Sequence, residues 1–180
     1  MAIKTFTTGE VLTASDTNTY LANSGLVYVK EQTVGAGVSS VTVSDAFSST
    51  YDNYKIIYAG GTANTAQAIT LKLGASVTTY AYSTVIYAYA GGAATVLTNA
   101  SSGAFDYAGE ANTNNNNVCL DVLNPNVAKY TTIQGSYVGG GSGGFAYGVH
   151  KTATAYTSFI LAVAGNITGG IIYVYGYRKA

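Results

Sequence analysis

Charge is scarce in this chain. Of 180 residues, 8 are Lys or Arg and 8 are Asp or Glu, so 9% are charged and the net charge is zero. An ordinary globular domain carries roughly 25% charged residues. Nucleic acids and anionic membranes are bound by clustered Lys and Arg, so neither is an expected partner. A single Cys excludes a disulfide framework and a Cys-rich zinc site. A single His argues against His-cluster metal chemistry. There is one Pro, one Met and no Trp. No apolar run approaches the roughly 20 residues that span a bilayer. The opening MAIKTFTTGEVLTASD lacks the apolar stretch of a secretory signal, so synthesis and retention in a cytoplasm are expected.

What is abundant is apolar and small. Hydrophobic residues make up 48%, with 22 Gly and 17 Tyr against 5 Phe. Disorder requires low hydrophobicity and high charge, and this chain has the reverse. Its length suits one domain with a packed core. With so few charges, the polar surface must be Thr, Ser, Asn, Gly and Tyr hydroxyls. Such a surface suits a subunit packed against copies of itself, with Tyr hydroxyls expected at wet interface rims.

The first 25 residues differ from the rest. Thr13-Ala14-Ser15-Asp16 reads as a helix start, a hydroxyl cap with an acid three residues on. A short helix is expected over 17–22, stopped at Asn23-Ser24-Gly25. From Leu26 the period becomes two. Strands are expected over 26–30, 38–43, 53–59, 68–73, 79–89, 103–107, 118–123, 130–137, 145–149, 158–163 and 171–177. Ile69, Leu71 and Leu73 alternate with Thr70 and Lys72, and Pro125 marks a turn. No later stretch carries a helical period, so crossover helices and a parallel sheet are excluded. The fold class is all-β: an antiparallel, jelly-roll-like β-sandwich (residues 26–180) preceded by a short N-terminal arm (1–25) with one short helix. An immunoglobulin-like sandwich is the runner-up, although its core Trp and paired Cys are missing.

Sites with chemistry are sparse. His150, beside Lys151 at a strand end, reads as exposed or loop-packed. Cys119 reads as a small buried thiol. Asp106 and Glu110, which flank Tyr107-Ala108-Gly109, read as a solvated loop rather than a catalytic pair. The run 112–117 reads as a polar loop, and the Gly-rich run 139–144 as a flexible hairpin tip without the Lys-Ser/Thr of a phosphate cradle. The acids show no calcium-loop clustering, so no metal and no cofactor are expected. Tyr80, Tyr82, Tyr87 and Tyr89 are crowded together. Tyr173, Tyr175 and Tyr177 share one face of the last strand, with Ile172, Val174 and Gly176 on the other. Such a Tyr face is read as ordinary sheet packing, a subunit interface or a glycan contact.

Three segments resemble tail-fibre, head-fibre and capsid-decoration proteins of tailed bacteriophages. They are Phe6-Thr7-Thr8-Gly9-Glu10-Val11-Leu12-Thr13-Ala14-Ser15-Asp16-Thr17-Asn18, Phe47-Ser48-Ser49-Thr50-Tyr51-Asp52-Asn53-Tyr54-Lys55-Ile56, and Ile167-Thr168-Gly169-Gly170-Ile171-Ile172-Tyr173-Val174-Tyr175-Gly176-Tyr177-Arg178. The resemblance implies a trimeric, non-enzymatic virion protein with a jelly-roll-like sandwich and an attaching arm. Its expected role is a capsid decoration (cement) or short head-fibre protein. Its partners would be copies of itself and the major capsid protein or another virion protein. Phe6, Val11, Leu12, Tyr20 and Leu21 are the expected capsid-attachment residues, and Tyr173, Tyr175 and Tyr177 the expected subunit interface. The alternative is a tail-fibre or tail-tip protein that binds a host surface glycan.

Overall fold

The computed structural model describes residues 7–17 and 25–179. Thr13 caps a short helix, α1 (Ala14–Asp16), with a complete capping box. The Thr13 hydroxyl accepts from Asp16 N at 3.1 Å, and Thr13 N donates to the Asp16 carboxylate at 3.1 Å. This is the cap that the sequence predicts. The rest of the expected helix, with Tyr20 and Leu21, lies outside the described residues, as does Phe6.

Strands follow as β1 (Leu26–Thr33), β2 (Val38–Val43), β3 (Asn53–Ala59), β4 (Thr62–Ala63), β5 (Gln67–Leu73), β6 (Tyr80–Ala88) and β7 (Thr95–Ser102). Then come β8 (Phe105–Ala111), β9 (Asn116–Leu123), β10 (Thr131–Val138), β11 (Ser142–His150), β12 (Phe159–Thr168) and β13 (Ile171–Tyr177). Every pairing between them is antiparallel. The fold is therefore all-β and antiparallel, as the period of two implies.

β9 is the branch point. Its first residues pair with β8, and the remainder pairs with β3 on one edge and β10 on the other. This splits the sheet into a large layer, β1-β13-β3-β9-β10-β11-β6-β7, and a small layer, β2-β12-β5-β8 with β4 on β12. The layers share one core. Phe47 bridges them, its ring 4.9 Å from Tyr54 of the large layer and 5.6 Å from Phe159 of the small one. At the other end, Tyr80 of the large layer meets Phe105 of the small one at 4.8 Å. Burying each Leu, Ile or Phe stabilises by roughly 1.5–3 kcal/mol, so interlayer packing dominates over partly exposed ion pairs such as Lys55–Asp121 and Lys179–Asp52.

Local chemistry explains the turns. β12 and β13 are joined by Gly169-Gly170, with φ of +70° and +83°. β12 and β13 do not pair with each other, so this is a tight corner between the two layers, and positive φ at two successive positions favours Gly, which has no Cβ to clash. The β8–β9 turn is held by Asn112, whose side-chain oxygen accepts from Asn114 N at 2.8 Å and Asn115 N at 3.0 Å.

Several expectations are corrected. Residues 112–117 are not simply a polar loop: Asn112 and Asn116 are buried, and Asn116 opens β9. Asn116 Nδ2 donates to the Tyr58 hydroxyl at 2.8 Å and to Thr62 O at 3.0 Å. In the Gly-rich run only 139–141 form the tip, because Gly143 and Gly144 already pair within β11. The expected strand 103–107 is the start of a longer β8, and both β7 and β4 are additional strands.

Candidate functional site

Side chains alternate across a strand, so one set from the large layer points away from the core. Register places these residues in transverse rows. One row runs Tyr28, Tyr175, Lys55, Asp121, Gln134, Tyr147, Ser83 and Thr98. The next runs Glu31, Tyr173, Ile57, Cys119, Ser136, Phe145, Val85 and Val96. This outer face has two distinct regions.

The first is the β1–β13 edge. Tyr173, Tyr175 and Tyr177 point outward and are half-buried, while Ile172 and Val174 are fully in the core. The Tyr28 ring packs edge-on against Tyr175 at 6.2 Å, and Tyr173 and Tyr175 lie 6.4 Å apart. Tyr28 is 54% exposed and Leu26 44%, which makes this an aromatic patch open to solvent.

The second is a trough over β9, β10 and β11. Three adjoining hollows of about 430, 280 and 150 Å³ share Gln134 as a common wall. Asp121 anchors the floor. Its Oδ1 pairs with Lys55 Nζ at 3.2 Å and accepts a hydrogen bond from the Tyr177 hydroxyl. Burial, the hydrogen bond to Asp121 and the Asp121 charge push the Tyr177 phenol up to about 12. The walls include Phe145 and Tyr147, about half exposed at 47% and 50%. An aromatic wall beside amide, carboxylate and ammonium groups can stack a flat apolar face and hydrogen-bond its edges. Tyr177 thus joins the trough, whereas Tyr173 and Tyr175 belong to the open edge.

Cys119 is corrected from core thiol to a half-buried residue of this outer face, on the wall of the trough. Its parity in β9 is that of Asn117 and Asp121, opposite to Val118, Leu120 and Val122. Lys55, Gln134, Phe145 and Tyr147 were not singled out from the sequence. A signal for the last two was present: Gly144, Ala146 and Gly148 alternate with them, leaving only small residues facing inward. A Cβ at Gly148 would sit 2.5 Å from the Phe105 ring, which is why the bulk points outward.

His150 is corrected from an exposed or loop-packed residue to a fully buried one. It stacks on Tyr80 at 4.2 Å, and its Nε2 is 2.7 Å from the Tyr156 hydroxyl and 3.4 Å from Ser76 Oγ. Nδ1 faces Thr79 Oγ1 at 3.4 Å, where a serine-nucleophile relay places a carboxylate. Burial lowers the His150 pKa. Asp106 and Glu110 are corrected from a loop to strand β8. Asp106 accepts from the Tyr82 hydroxyl at 2.7 Å, and Glu110 is buried at 7% exposure. Among the described residues no three His, Cys, Asp or Glu converge to hold a metal ion. In the arm, Val11 and Leu12 are exposed, at 78% and 50%.

Comparison with protein families, curated proteins and solved structures finds no match.

Proposed function

We propose that this chain is a non-enzymatic structural protein of a tailed-bacteriophage virion, a decoration or short head-fibre protein that works as a trimer. The three sequence segments that resemble such proteins support the class. The observation that carries the assembly is the open aromatic edge of Tyr28, Tyr173 and Tyr175. Tyr is enriched at interface cores because it joins apolar area to a hydrogen-bonding tip. The exposed Val11 and Leu12 supply apolar contacts for the arm on the shell. Sedimentation of the full chain at micromolar concentration tests this. A trimer that Tyr175→Asp converts to monomer is expected, and a wild-type monomer overturns the assembly. Deleting residues 1–25 is expected to abolish capsid binding, and normal binding without them overturns the arm assignment.

A second reading, host attachment through a surface glycan, is favoured by the trough. Sugars present apolar faces for Tyr147 and hydroxyls for Asp121 and Gln134. A glycan array with the full chain separates the readings. Binding lost in Tyr147→Ala, with the trimer intact, supports attachment, and an array without binders removes it.

A further inference from the structure

Glu110 is the least expected residue of the core layer. Its carboxyl group is buried, and its one hydrogen bond is from Ser142 Oγ, donating to Oε2 at 2.8 Å. Neither the Lys55–Asp121 nor the Lys179–Asp52 ion pair involves it. Burying a carboxylate without a counter-charge is costly. Departures of this kind from the rules of core composition gather at functional sites.

The surroundings indicate the use. The register of β5 and β8 shifts between Ile69↔Gly109 and Leu71↔Phe105, so β8 bulges at Asp106, Tyr107 and Ala108. Bulges re-aim side chains. Tyr107 takes φ +52°, a region that bulky residues rarely enter. Strain of this kind gathers at ligand sites. Tyr107 and Glu110 together line a cleft of about 270 Å³, closed by Gln67 on one side and by Gly141 and Ser142 of the β10–β11 hairpin on the other. The hairpin packs directly on the acid, since a Cβ at Gly139 would fall 1.9 Å from Glu110 Cδ. The Tyr107 ring lies 6.0 Å from that of Tyr137, whose hydroxyl is buried without a partner. The Gln67 amide is already engaged, accepting from Gly165 N at 2.6 Å and donating to Asn64 Oδ1 at 3.3 Å.

We infer that this cleft binds an organic cation, an alkylammonium or guanidinium group that ion-pairs with Glu110 against the Tyr107 ring. The carboxylate supplies the missing opposite charge, and the ring face attracts a cation through its quadrupole. A metal ion fits poorly, because hard cations take 6–8 oxygen ligands and no converging ligand group exists among the described residues. The cation is either a free small amine or a Lys or Arg side chain carried by another polypeptide. The inference stands apart from the virion reading, and its outcome leaves that reading unchanged.

The test is a titration of the full chain with butylammonium, ethylguanidinium and neutral butanol, followed by tyrosine NMR shifts. Saturable binding of the cations and none of butanol is expected. Affinity should fall about tenfold or more in Glu110→Gln. Gly141 lines the cleft and a Cβ there has no neighbour within 4 Å, so Gly141→Leu adds bulk at the cleft wall without a clash and should weaken binding without lowering the melting temperature. Glu110→Gln can still accept the Ser142 hydrogen bond and should melt near the wild-type temperature, so a loss of binding reports the site and not the fold. Equal binding by Glu110→Gln and wild type, or no saturation up to about 0.1 M cation, overturns the site. A peptide-borne lysine, as acetyl-Gly-Lys-Gly-amide, that binds about tenfold tighter than butylammonium assigns the cation to a polypeptide. Equal affinities assign it to a free amine.

Discussion

The excess of Tyr over Phe has a cause at the level of single hydroxyls. Tyr54, Tyr58 and Tyr80 are all fully buried, yet each hydroxyl reaches a loop or a strand end. Tyr54 accepts from Ser48 N at 2.7 Å and donates to Ser48 O at 2.8 Å. Tyr58 donates to Gly169 O at 2.9 Å, and Tyr80 accepts from Leu73 N at 2.8 Å. Phe in these places would leave backbone groups unpaired. Hydroxyls at interface rims, the reading from composition, account for none of these three. Which Tyr would turn inward was not legible in Asn53-Tyr54-Lys55-Ile56-Ile57-Tyr58, because both parities carry apolar residues. His150 belongs to the same inner network and gives it a pH dependence. Burial lowers its pKa below the ordinary 6.5. As pH falls, the unfolded chain therefore takes up the proton first. Stability should be full above about pH 6.5 and decline as pH drops through that value toward the folded pKa. Urea denaturation across this range measures it, and His150→Gln should remove this part of the slope.

At the level of elements, a strand was readable where one face is buried. β3 and β13 have the bounds that alternation predicts, because their neighbours impose an inside and an outside. β7 shows the converse. It lies at the edge of the large layer, nearly every residue is exposed, and Thr95–Ser102 carries no alternation to detect. The bulge in β8 is similarly hidden, since a register shift comes from the pairing strand and not from local sequence. Close strand contact also assigns glycines that composition treats alike. A Cβ at Gly135 would lie 2.2 Å from Cys119 O and 2.6 Å from Leu120 Cδ2. Gly135→Ala must push β10 off β9, the two strands beneath the trough, at a cost of about 1–3 kcal/mol. Gly141→Ala meets nothing within 4 Å and should leave stability within about 0.5 kcal/mol of wild type. Thermal melts of the two variants decide the matter, and equal melting temperatures would mean that β9 and β10 yield freely.

At the scale of the whole molecule, the trough could not be read from the sequence because its parts are scattered along it. Lys55, Asp121, Gln134, Tyr147 and Tyr177 come from five strands, and only the branching at β9 makes them neighbours. The zero net charge was legible from the start, and the structure gives it a physical consequence. The outer face carries the internally compensated pair Lys55–Asp121 and the exposed Glu31 beside Tyr173, in a setting of Tyr, Phe, Val and Ser. Association through such a surface draws on apolar burial, which is not screened by salt, whereas exposed ion pairs weaken as the Debye length shrinks. Raising sodium chloride from about 0.05 M to about 0.5 M should therefore leave the sedimentation mass of the proposed trimer unchanged. Sulfate, which strengthens apolar burial by exclusion from the surface, should tighten it. Dissociation to monomers in sodium chloride would show instead that the contacts rest on charge, and would shift the weight of the interface from the Tyr28 and Tyr175 rings to charged side chains such as Glu31.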